Sequence, residues 1–357
     1  MKMLLLLFLI TVLLVSGCTN PESPQTTGSG MPDASGNQSD AVLMSVGPGL
    51  HCGSFRINGS LVSTKMDTLI EAARQAGFSF IGMVVDPNQP GQLDACDSVT
   101  AAGMLCIPCQ ETGNNEGTLV AIGVREEISP DQSLETMLDQ VHGLGGVAYI
   151  TQPMSNAEGA SWKRWDITTW DGLAVISTMA QTRHDDERAI EEWHDSLNRG
   201  QYSYAFGETD IKPFTTTYEL SNALDSSYQC LWIQENLTED SLKKTLGSGR
   251  FYVTNGPALN FTVNGRSPGS DFNVSYGEEV ELSIDVVSDS LFSVIKIIRD
   301  GEVLQETGRQ AIRYNMTLNT TIVSRTWFAV EVWGNDNTPD YHDPVHAISN
   351  PVWVGVG

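Results

Sequence analysis

The stretch STKMDTLIEAARQAGFSFIGMVV, residues 63–85, combines a helix with the strand that follows it. Ser63 or Thr64 is a typical cap at the start of a helix, and apolar residues then recur every three or four positions. Gly77 ends the helix, and residues 78–85 are almost all apolar, as is typical of a strand covered on both faces. The stretch therefore predicts one β-α-β step.

The same alternation continues further along the chain. Ser129 begins another amphipathic segment, and a second one ends near Gly200, so both predict helices. The predicted strands are residues 104–108, 119–124, 147–151, 172–177 and 202–207, and the second helix covers residues 185–198. Because strands buried on both faces are continuous apolar runs, we expect parallel strands covered by helices, in a barrel or a doubly wound sheet.

The C-terminal part of the chain changes to the pattern of an antiparallel sheet. Strands are predicted at residues 279–287, 292–299, 302–305 and 326–333, which alternate or are rich in β-branched residues. Asp300 and Gly301 form a dipeptide typical of a tight hairpin. We expect an α/β domain over residues 42–256 and a small antiparallel β-sandwich over residues 257–357.

The N-terminus has the pattern of a lipoprotein signal peptide. Lys2 precedes an apolar run, residues 4–15, that is too short to span a bilayer, and LVSGC at residues 14–18 matches a lipoprotein cleavage site. We expect residues 1–17 to be removed and Cys18 to carry a lipid, with residues 18–41 as a flexible tether. An ordinary secretory peptide is the alternative. Both predict an extracytoplasmic protein, and the lipid predicts a cell-surface lipoprotein anchored to the membrane.

Acidic residues far exceed basic ones. The chain of 357 residues has 44 Asp plus Glu against 20 Lys plus Arg, so its formal net charge is −24. Such a charge repels the phosphates of nucleic acids, and we therefore exclude DNA and RNA as partners. Sequons for glycosylation suit a surface glycoprotein, and examples begin at Asn58, Asn236, Asn260, Asn273 and Asn315.

The six cysteines show no regular spacing. With Cys18 assigned to the lipid, five remain, and an odd number cannot pair completely. Cys106 and Cys109 have the C-x-x-C spacing of redox and zinc sites, but one such pair alone carries little weight. The pattern favours buried and chemically inert thiols.

Seven short segments, in this order, resemble the PHP (polymerase and histidinol phosphatase) superfamily of metal-dependent phosphoesterases. They are GLHCGS (49–54), FIGMVVDPN (80–88), IPCQE (107–111), GGVAYITQP (145–153), GETDIK (207–212), SGRFYVTNGP (248–257) and AISNP (347–351). The chain is similar in particular to the carbaryl-hydrolase-like branch of secreted metallohydrolases, which carry a C-terminal β-domain. The resemblance implies a PHP-like distorted β/α barrel followed by the β-sandwich.

In that family, histidines and carboxylates at the strand ends hold two or three metal ions. The resemblance implies that His51 keeps the first histidine of a His-x-His pair, whose second position is Gly53. Asp86 keeps the acid of an Asp-His pair whose histidine is replaced by Pro87, and Glu111 keeps the bridging glutamate. The remaining ligand positions fall on Asn58, Thr118, Gln152, Asp210 and Lys212.

Most of the family's metal ligands are therefore missing. Gly53 and Pro87 have no ligand atom in their side chains, and Lys212 would bring a positive charge to a cation site. The residues that remain, a remnant pocket, are His51, Asp86, Glu111, Asp210 and Lys212. Lys212 and a protonated His51 would offset the carboxylates. We expect a pseudoenzyme without a cofactor, which binds an unknown surface ligand or interacts with the envelope.

Two other functions remain open. In the first, the protein is a metal-dependent phosphoesterase or esterase that holds one Zn, Mn or Fe ion with His51, Glu111 and Asp210. Gln152 or Cys109 would assist that reduced site. In the second, the C-terminal β-sandwich is the functional module and the barrel is a spacer.

The segment SWKRWDITTWDG, residues 161–172, contains three tryptophans. Trp162, Trp165 and Trp170 could stack on a sugar or an aromatic ligand at the rim of the pocket. Structural packing of the indoles is the favoured interpretation.

Overall fold

The protein has a mixed α/β fold that is rich in strands. The computed structural model describes residues 49–155, 161–177, 183–209, 227–334 and 346–357. The expected signal peptide, the lipid-bearing Cys18 and the tether lie outside these ranges, as do Asp210 and Lys212. None of the helices in the described ranges combines the length and apolar character that crossing a bilayer requires.

Five helices and sixteen strands are described. The helices are α1 (Gly59–Gln75), α2 (Gln92–Ala101), α3 (Leu134–Gly143), α4 (Arg183–Asn198) and α5 (Glu239–Leu246). The first nine strands are β1 (Leu50–Asn58), β2 (Phe80–Val84), β3 (Leu105–Asn114), β4 (Gly117–Ile122), β5 (Val147–Thr151), β6 (Gly172–Ser177), β7 (Tyr204–Glu208), β8 (Tyr228–Trp232) and β9 (Phe251–Thr254). The others are β10 (Ala258–Val263), β11 (Asp271–Val274), β12 (Glu279–Arg299), β13 (Glu302–Thr321), β14 (Thr326–Gly334), β15 (His346–Ser349) and β16 (Val352–Val356).

All described strands join one mixed sheet. From β1 the strand order follows the chain to β7, and on the other side of β1 it continues through β8, β9, β15, β14, β12 and β10. The pairs β1–β2, β2–β3, β5–β6 and β6–β7 are parallel, as predicted. β4 is antiparallel to both its neighbours, which corrects the expectation of parallel strands. The cause is a short turn between Asn114 and Gly117, which brings the chain straight back along β3.

On the outer strand β7, backbone N–H and carbonyl groups form hydrogen bonds with side-chain amides instead of with a further strand. The Ala205 N–H donates to Oδ1 of Asn350 at 2.7 Å, and Nδ2 of Asn350 donates to the carbonyl oxygens of Ala205 and Phe251 at 3.4 and 3.2 Å. Nε2 of Gln229 donates to the Gly207 carbonyl. These amides link β7 to β8 and β9 where ladder hydrogen bonds are absent among the described strands, so the edge of the sheet is covered.

The C-terminal strands continue the same sheet across the boundary expected near residue 256. β15 pairs with β9, and β14 pairs with both β12 and β15. The hairpin expected at Asp300 and Gly301 is confirmed, since both residues have positive φ, 53° and 83°, and connect β12 to β13. The two strands predicted before this turn are one continuous strand, β12, of 21 residues.

Two disulfides correct the prediction of inert thiols. Cys52 and Cys230 are bonded and occupy opposite positions on β1 and β8. Cys96 of α2 is bonded to Cys106 of β3, so the C-x-x-C pair is not a redox or zinc unit. Cys109 is fully buried, and its Sγ lies 3.7 Å from the Ile107 carbonyl. The pairing joins distant segments of the chain, and sequence spacing does not reveal such partners.

His142 on α3 forms a pH-sensitive contact with the residue before β6. Its Nε2 lies 2.9 Å from Oδ2 of Asp171, which also accepts from the Ala148 N–H at 2.7 Å. The hydrogen bond with Asp171 raises the pKa of His142 above its ordinary value of 6.5, against a smaller lowering by burial. The stabilisation is therefore complete below about pH 6.5 and is lost as pH rises through the folded-state pKa.

We expect the melting temperature to fall between about pH 6 and pH 8 by more in the wild type than in His142→Gln. Glutamine can still donate to Asp171, but it does not titrate. Thermal unfolding of both proteins across this pH range measures the difference. Parallel curves for the two proteins would contradict the assigned role of His142.

Candidate functional site

Asp86 and Glu111 lie side by side beyond the end of β2. The parallel strands β2 and β3 pair Val84 with Cys109, and each carboxylate residue is two positions further along its own segment. They are therefore at the same level on neighbouring segments, where strands are about 4.8 Å apart. The structure thus brings together two residues of the predicted remnant pocket.

The two carboxylate residues line an open cleft of about 790 Å³. Thr118, which the resemblance aligned with a missing histidine, lines it too. Other polar residues of the lining are Gln89, Gln92, Gln110, Thr112, Asn114 and Glu127. A concave site of this volume, with several converging polar groups, has the dimensions of a small-molecule site.

One wall of the cleft is held by side chains of β3. Gln110 is buried, and its Nε2 donates to the Glu126 carbonyl at 2.7 Å, while its Oε1 accepts from the Ile128 N–H at 3.0 Å. Thr112 donates to the Ile128 carbonyl at 3.1 Å. These hydrogen bonds fix the segment that follows β4 against β3, so the wall is preformed.

Another part of the lining is a turn between β2 and α2. Oδ1 of Asp86 accepts from the Asn88 N–H at 2.9 Å, and Oε1 of Gln92 accepts from the Asp86 N–H at 2.6 Å. Nε2 of Gln92 donates to Oε1 of Gln89 at 2.7 Å. Asp86 therefore has a local structural role as a turn-stabilising acceptor, in addition to its place in the cleft.

The charges of the described lining are all negative. Asp86, Glu111 and Glu127 line the cleft, and no lysine, arginine or histidine of the described chain does so. Glu111 and Glu127 are exposed and Asp86 is half-buried, so their carboxylates can reach a ligand from water. The cleft favours groups that donate hydrogen bonds or carry positive charge.

His51 lies at the other end of the sheet. Gly53 pairs with Phe80, the first residue of β2, so His51 is level with residue 78, before β2 begins. Asp86 lies beyond the other end of β2, eight residues further along. At about 3.3 Å per residue, this offset corresponds to roughly 25 Å along the strands. The structure therefore does not bring His51 to Asp86 and Glu111, and the carboxyl end of β1 carries Asn58 instead, level with Val84.

Burial lowers the pKa of His51 below its ordinary value of 6.5. Its Nδ1 is buried and has no hydrogen-bond partner among the described residues. Burial therefore acts against the protonated form of His51, the form expected to offset the carboxylates.

The described residues do not fit the multinuclear metal centre of the resembled family. No group of three or more His, Cys, Asp or Glu side chains in the described ranges could hold a metal ion. Cys109, expected to assist a reduced site, is instead fully buried in the apolar core. Asp210 and Lys212 lie outside the described residues, so the ligand set His51, Glu111 and Asp210 stays a prediction.

Glu208 is a buried acid that the sequence analysis missed. It is the last residue of β7 and is fully buried, and its Oε1 accepts from the Gln152 N–H at 3.2 Å. Gln152 itself has a positive φ of 46°, which is uncommon for a residue with a side chain. The sequence feature that could have identified Glu208 is its position in the GETDIK segment, two residues before Asp210.

The tryptophans of residues 161–172 are mainly structural, as favoured from the sequence. Trp162 and Trp170 are buried in the core. Nε1 of Trp170 donates to the Ile167 carbonyl at 2.7 Å, and Trp165 packs edge-on against Trp170. None of the three lines the cleft.

No family model matches the chain, and no curated protein matches it. Among solved structures, it is similar to a candidate metal-dependent phosphoesterase from Bifidobacterium adolescentis, with 14% identity and a TM-score of 0.36 over 54% of this chain and 95% of that chain. The CARDB domain of a Pyrococcus furiosus protein in complex with di-metal ions shares 14% identity, with a TM-score of 0.20 over 29% of this chain and 90% of that chain. Fibronectin(III)-like modules of Clostridium thermocellum CbhA share 17% identity, with a TM-score of 0.20 over 36% of this chain and 60% of that chain.

Proposed function

We propose that the protein is a surface binding protein whose cleft takes a polar ligand with ammonium or hydroxyl donors and no negative charge. The observation that carries this proposal is the charge of the described lining, with Asp86, Glu111 and Glu127 and without a basic residue or a histidine. Among the described lining residues a phosphoester would meet only negative charge, unless metal ions neutralised it. The described residues do not supply the ligand groups for such ions.

The polar side chains of the cleft support recognition of a ligand by hydrogen bonds. The amides of Gln92 and Gln110 are already engaged in holding the walls, so they keep the site rigid. Glu111 and Glu127 line the cleft and are exposed, so their negative charges face the space that a ligand would occupy. An amino sugar or a similar polyhydroxyl amine would be attracted by these charges and could form charge-assisted hydrogen bonds with the carboxylates.

The proposal places the protein outside the cytoplasm, tethered by a lipid on Cys18, with a PHP-like barrel that has lost its metal chemistry and a C-terminal β-sandwich. Two disulfides support the location, because disulfides persist mainly in oxidising compartments. The amide links from Asn350 and Gln229 to β7 support a barrel-like closure without a complete ladder.

Calorimetric titration with three sugars tests the proposed ligand class. A glucosamine oligomer should bind at least tenfold more tightly than the matched N-acetylated oligomer, and a phosphorylated sugar should not bind. Glu111→Gln should weaken binding of the glucosamine oligomer about tenfold, because a hydrogen bond to a charged group contributes about 1.5 kcal/mol or more.

Glu126→Gln is the matched control. Glu126 neighbours the cleft in sequence, but it does not line the cleft, so affinity should stay unchanged. Tightest binding of the phosphorylated sugar would contradict the proposal. Its hydrolysis with Zn²⁺ or Mn²⁺, abolished by Glu111→Ala, would establish the metal-dependent phosphoesterase instead.

A further inference from the structure

Three glycosylation sequons lie on the two strands that flank one segment of β12. The first is Asn260-Phe261-Thr262 on β10, and the others, Asn315-Met316-Thr317 and Asn319-Thr320-Thr321, follow each other on β13. Both β10 and β13 pair with residues 282–287 of β12, so they lie on opposite sides of this segment. The three sequons, although far apart in sequence, therefore belong to one small antiparallel sheet.

The strand register places the three acceptor asparagines on the same face of this sheet. Asn260 is directly opposite Asp285 of β12, and Asp285 is directly opposite Asn315. Side chains of directly paired residues share a face of an antiparallel sheet, and so do those of residues four apart along a strand. From the strand spacing and rise, Asn260 and Asn315 are about 10 Å apart, and Asn315 and Asn319 are about 13 Å apart.

This shared face is turned to the solvent. Asn260, Asn315 and Asn319 are all exposed. The residues that follow the first two point the other way, since Phe261 is fully buried and Met316 packs against the core. Because side chains alternate along a strand, each acceptor asparagine lies on the outer face together with the threonine two residues later. A shift of the register by one residue would have turned both inward.

The acceptor amides are not used to hold the fold. The side chains of Asn260, Asn315 and Asn319 form no hydrogen bond with another described residue. By contrast, Oδ1 of Asn264, also near the end of β10, accepts from the Glu281 N–H at 2.8 Å. A sugar can therefore be attached to each acceptor amide without the loss of a described contact.

The modification joins the side-chain nitrogen of asparagine to an oligosaccharide. The donor is an oligosaccharide that is linked through phosphate to a lipid carrier outside the cytoplasm. A bond forms between the amide nitrogen and C1 of the first sugar, and the bond between C1 and the phosphate oxygen breaks. The phosphate leaves with the bonding electron pair, and the amide gives up one proton.

We propose that the outer face of β10, β12 and β13 is N-glycosylated, with oligosaccharides on Asn260, Asn315 and Asn319. The inference rests on the extracytoplasmic location proposed above, but not on the ligand cleft. Neither β10 nor β13 pairs with a further described strand beside this segment, so their outer backbone groups are open to other chains. Oligosaccharides on both strands would keep these edges from pairing with another copy of the protein.

Mass spectrometry of the full-length protein, purified from the membranes of its own source cells, tests the glycosylated face. Trypsin gives one peptide, residues 251–266, that contains Asn260, and another, residues 314–325, that contains Asn315 and Asn319. We expect both peptides to carry oligosaccharide masses, which fragmentation assigns to these asparagines. Absence of sugar from both peptides, in protein that has reached the cell surface, would overturn the proposal.

Two variants remove a sequon and keep its asparagine. Thr262→Ala should abolish the sugar on Asn260, and Thr317→Ala should abolish the sugar on Asn315. Ser283→Ala is the matched control, because Ser283 is directly opposite both threonines on the same face but belongs to no sequon. Sugar that persists in both threonine variants, or that is lost equally in Ser283→Ala, would also overturn the proposal.

Removal of all three sequons tests the protection of the strand edges. The triple variant Thr262→Ala, Thr317→Ala, Thr321→Ala should sediment as dimers or larger species at concentrations where the glycosylated wild type is monomeric. Equal sedimentation of the two proteins as monomers would contradict the protecting role. Protein that is retained in the cytoplasm without sugar would overturn the extracytoplasmic location together with this proposal, whereas the ligand titrations measure the cleft alone.

Discussion

Replacement of Cys52 and Cys230 by alanine is expected to lower the free energy of unfolding by about 5 kcal/mol. The bond closes a loop between residues 178 positions apart in sequence, so it removes much of the entropy of the unfolded chain. It also joins β1 to β8, the pair from which the two halves of the sheet extend. Urea unfolding of the oxidised wild type and the double variant measures the difference.

The second disulfide provides the comparison. Cys96 and Cys106 are only 10 positions apart, so their replacement should cost about 3 kcal/mol by the same loop-closure estimate. The expected order is therefore a larger loss for the β1–β8 bond. Equal losses, or a smaller loss for Cys52 and Cys230, would show that loop closure does not set the stability of this protein.

Asn350→Ala is expected to lower the free energy of unfolding by about 4 kcal/mol. Asn350 is fully buried, and its amide satisfies the N–H and carbonyl of Ala205 and the carbonyl of Phe251. Alanine would leave these backbone groups buried without a partner, and each such group costs about 1–3 kcal/mol. Chemical denaturation of the variant gives the value.

Asn319→Ala serves as the control for this substitution. Asn319 lies exposed on β13, so its replacement should change the free energy of unfolding by less than about 0.5 kcal/mol. Gln229→Ala should be destabilising in the same way as Asn350→Ala, since Gln229 is the other amide that serves β7. A cost for Asn350→Ala no larger than that of Asn319→Ala would mean that β7 does not depend on the amide.

Local sequence patterns predicted the elements whose boundaries depend on neighbouring residues. The apolar runs at residues 147–151 and 172–177 coincide with β5 and β6. The hairpin at Asp300 and Gly301 was predictable because few residue pairs tolerate two successive positive φ angles. By contrast, α2 was missed, since only Cys96 and Val99 are buried on it and its apolar periodicity is weak.

Long-range features could not be predicted in this way. The motif around His51 resembles a strand end, yet β1 continues for seven residues beyond His51, to Asn58. The position of His51 relative to Asp86 is set by the register between β1 and β2. Register depends on which strands pair across the sheet, and a local sequence pattern does not contain that information. The partners of Cys52 and Cys96 are equally a property of the folded chain.

The candidate site was therefore predicted in part. Asp86 and Glu111 were identified from short motifs, and they share one cleft because β2 and β3 are parallel and in register. The wall residue Gln110 was not singled out as functional, although it is next to Glu111.

We propose that the Asp86–Glu111 cleft binds its ligand without the metal chemistry of the resembled family. The most direct measurement is hydrolysis of a phosphomonoester by the wild type and by Glu111→Ala, each with Zn²⁺, Mn²⁺ and Fe²⁺ supplied in turn. We predict no turnover by the wild type above that of Glu111→Ala with any of the three ions. Metal-dependent turnover by the wild type that Glu111→Ala abolishes would contradict the claim.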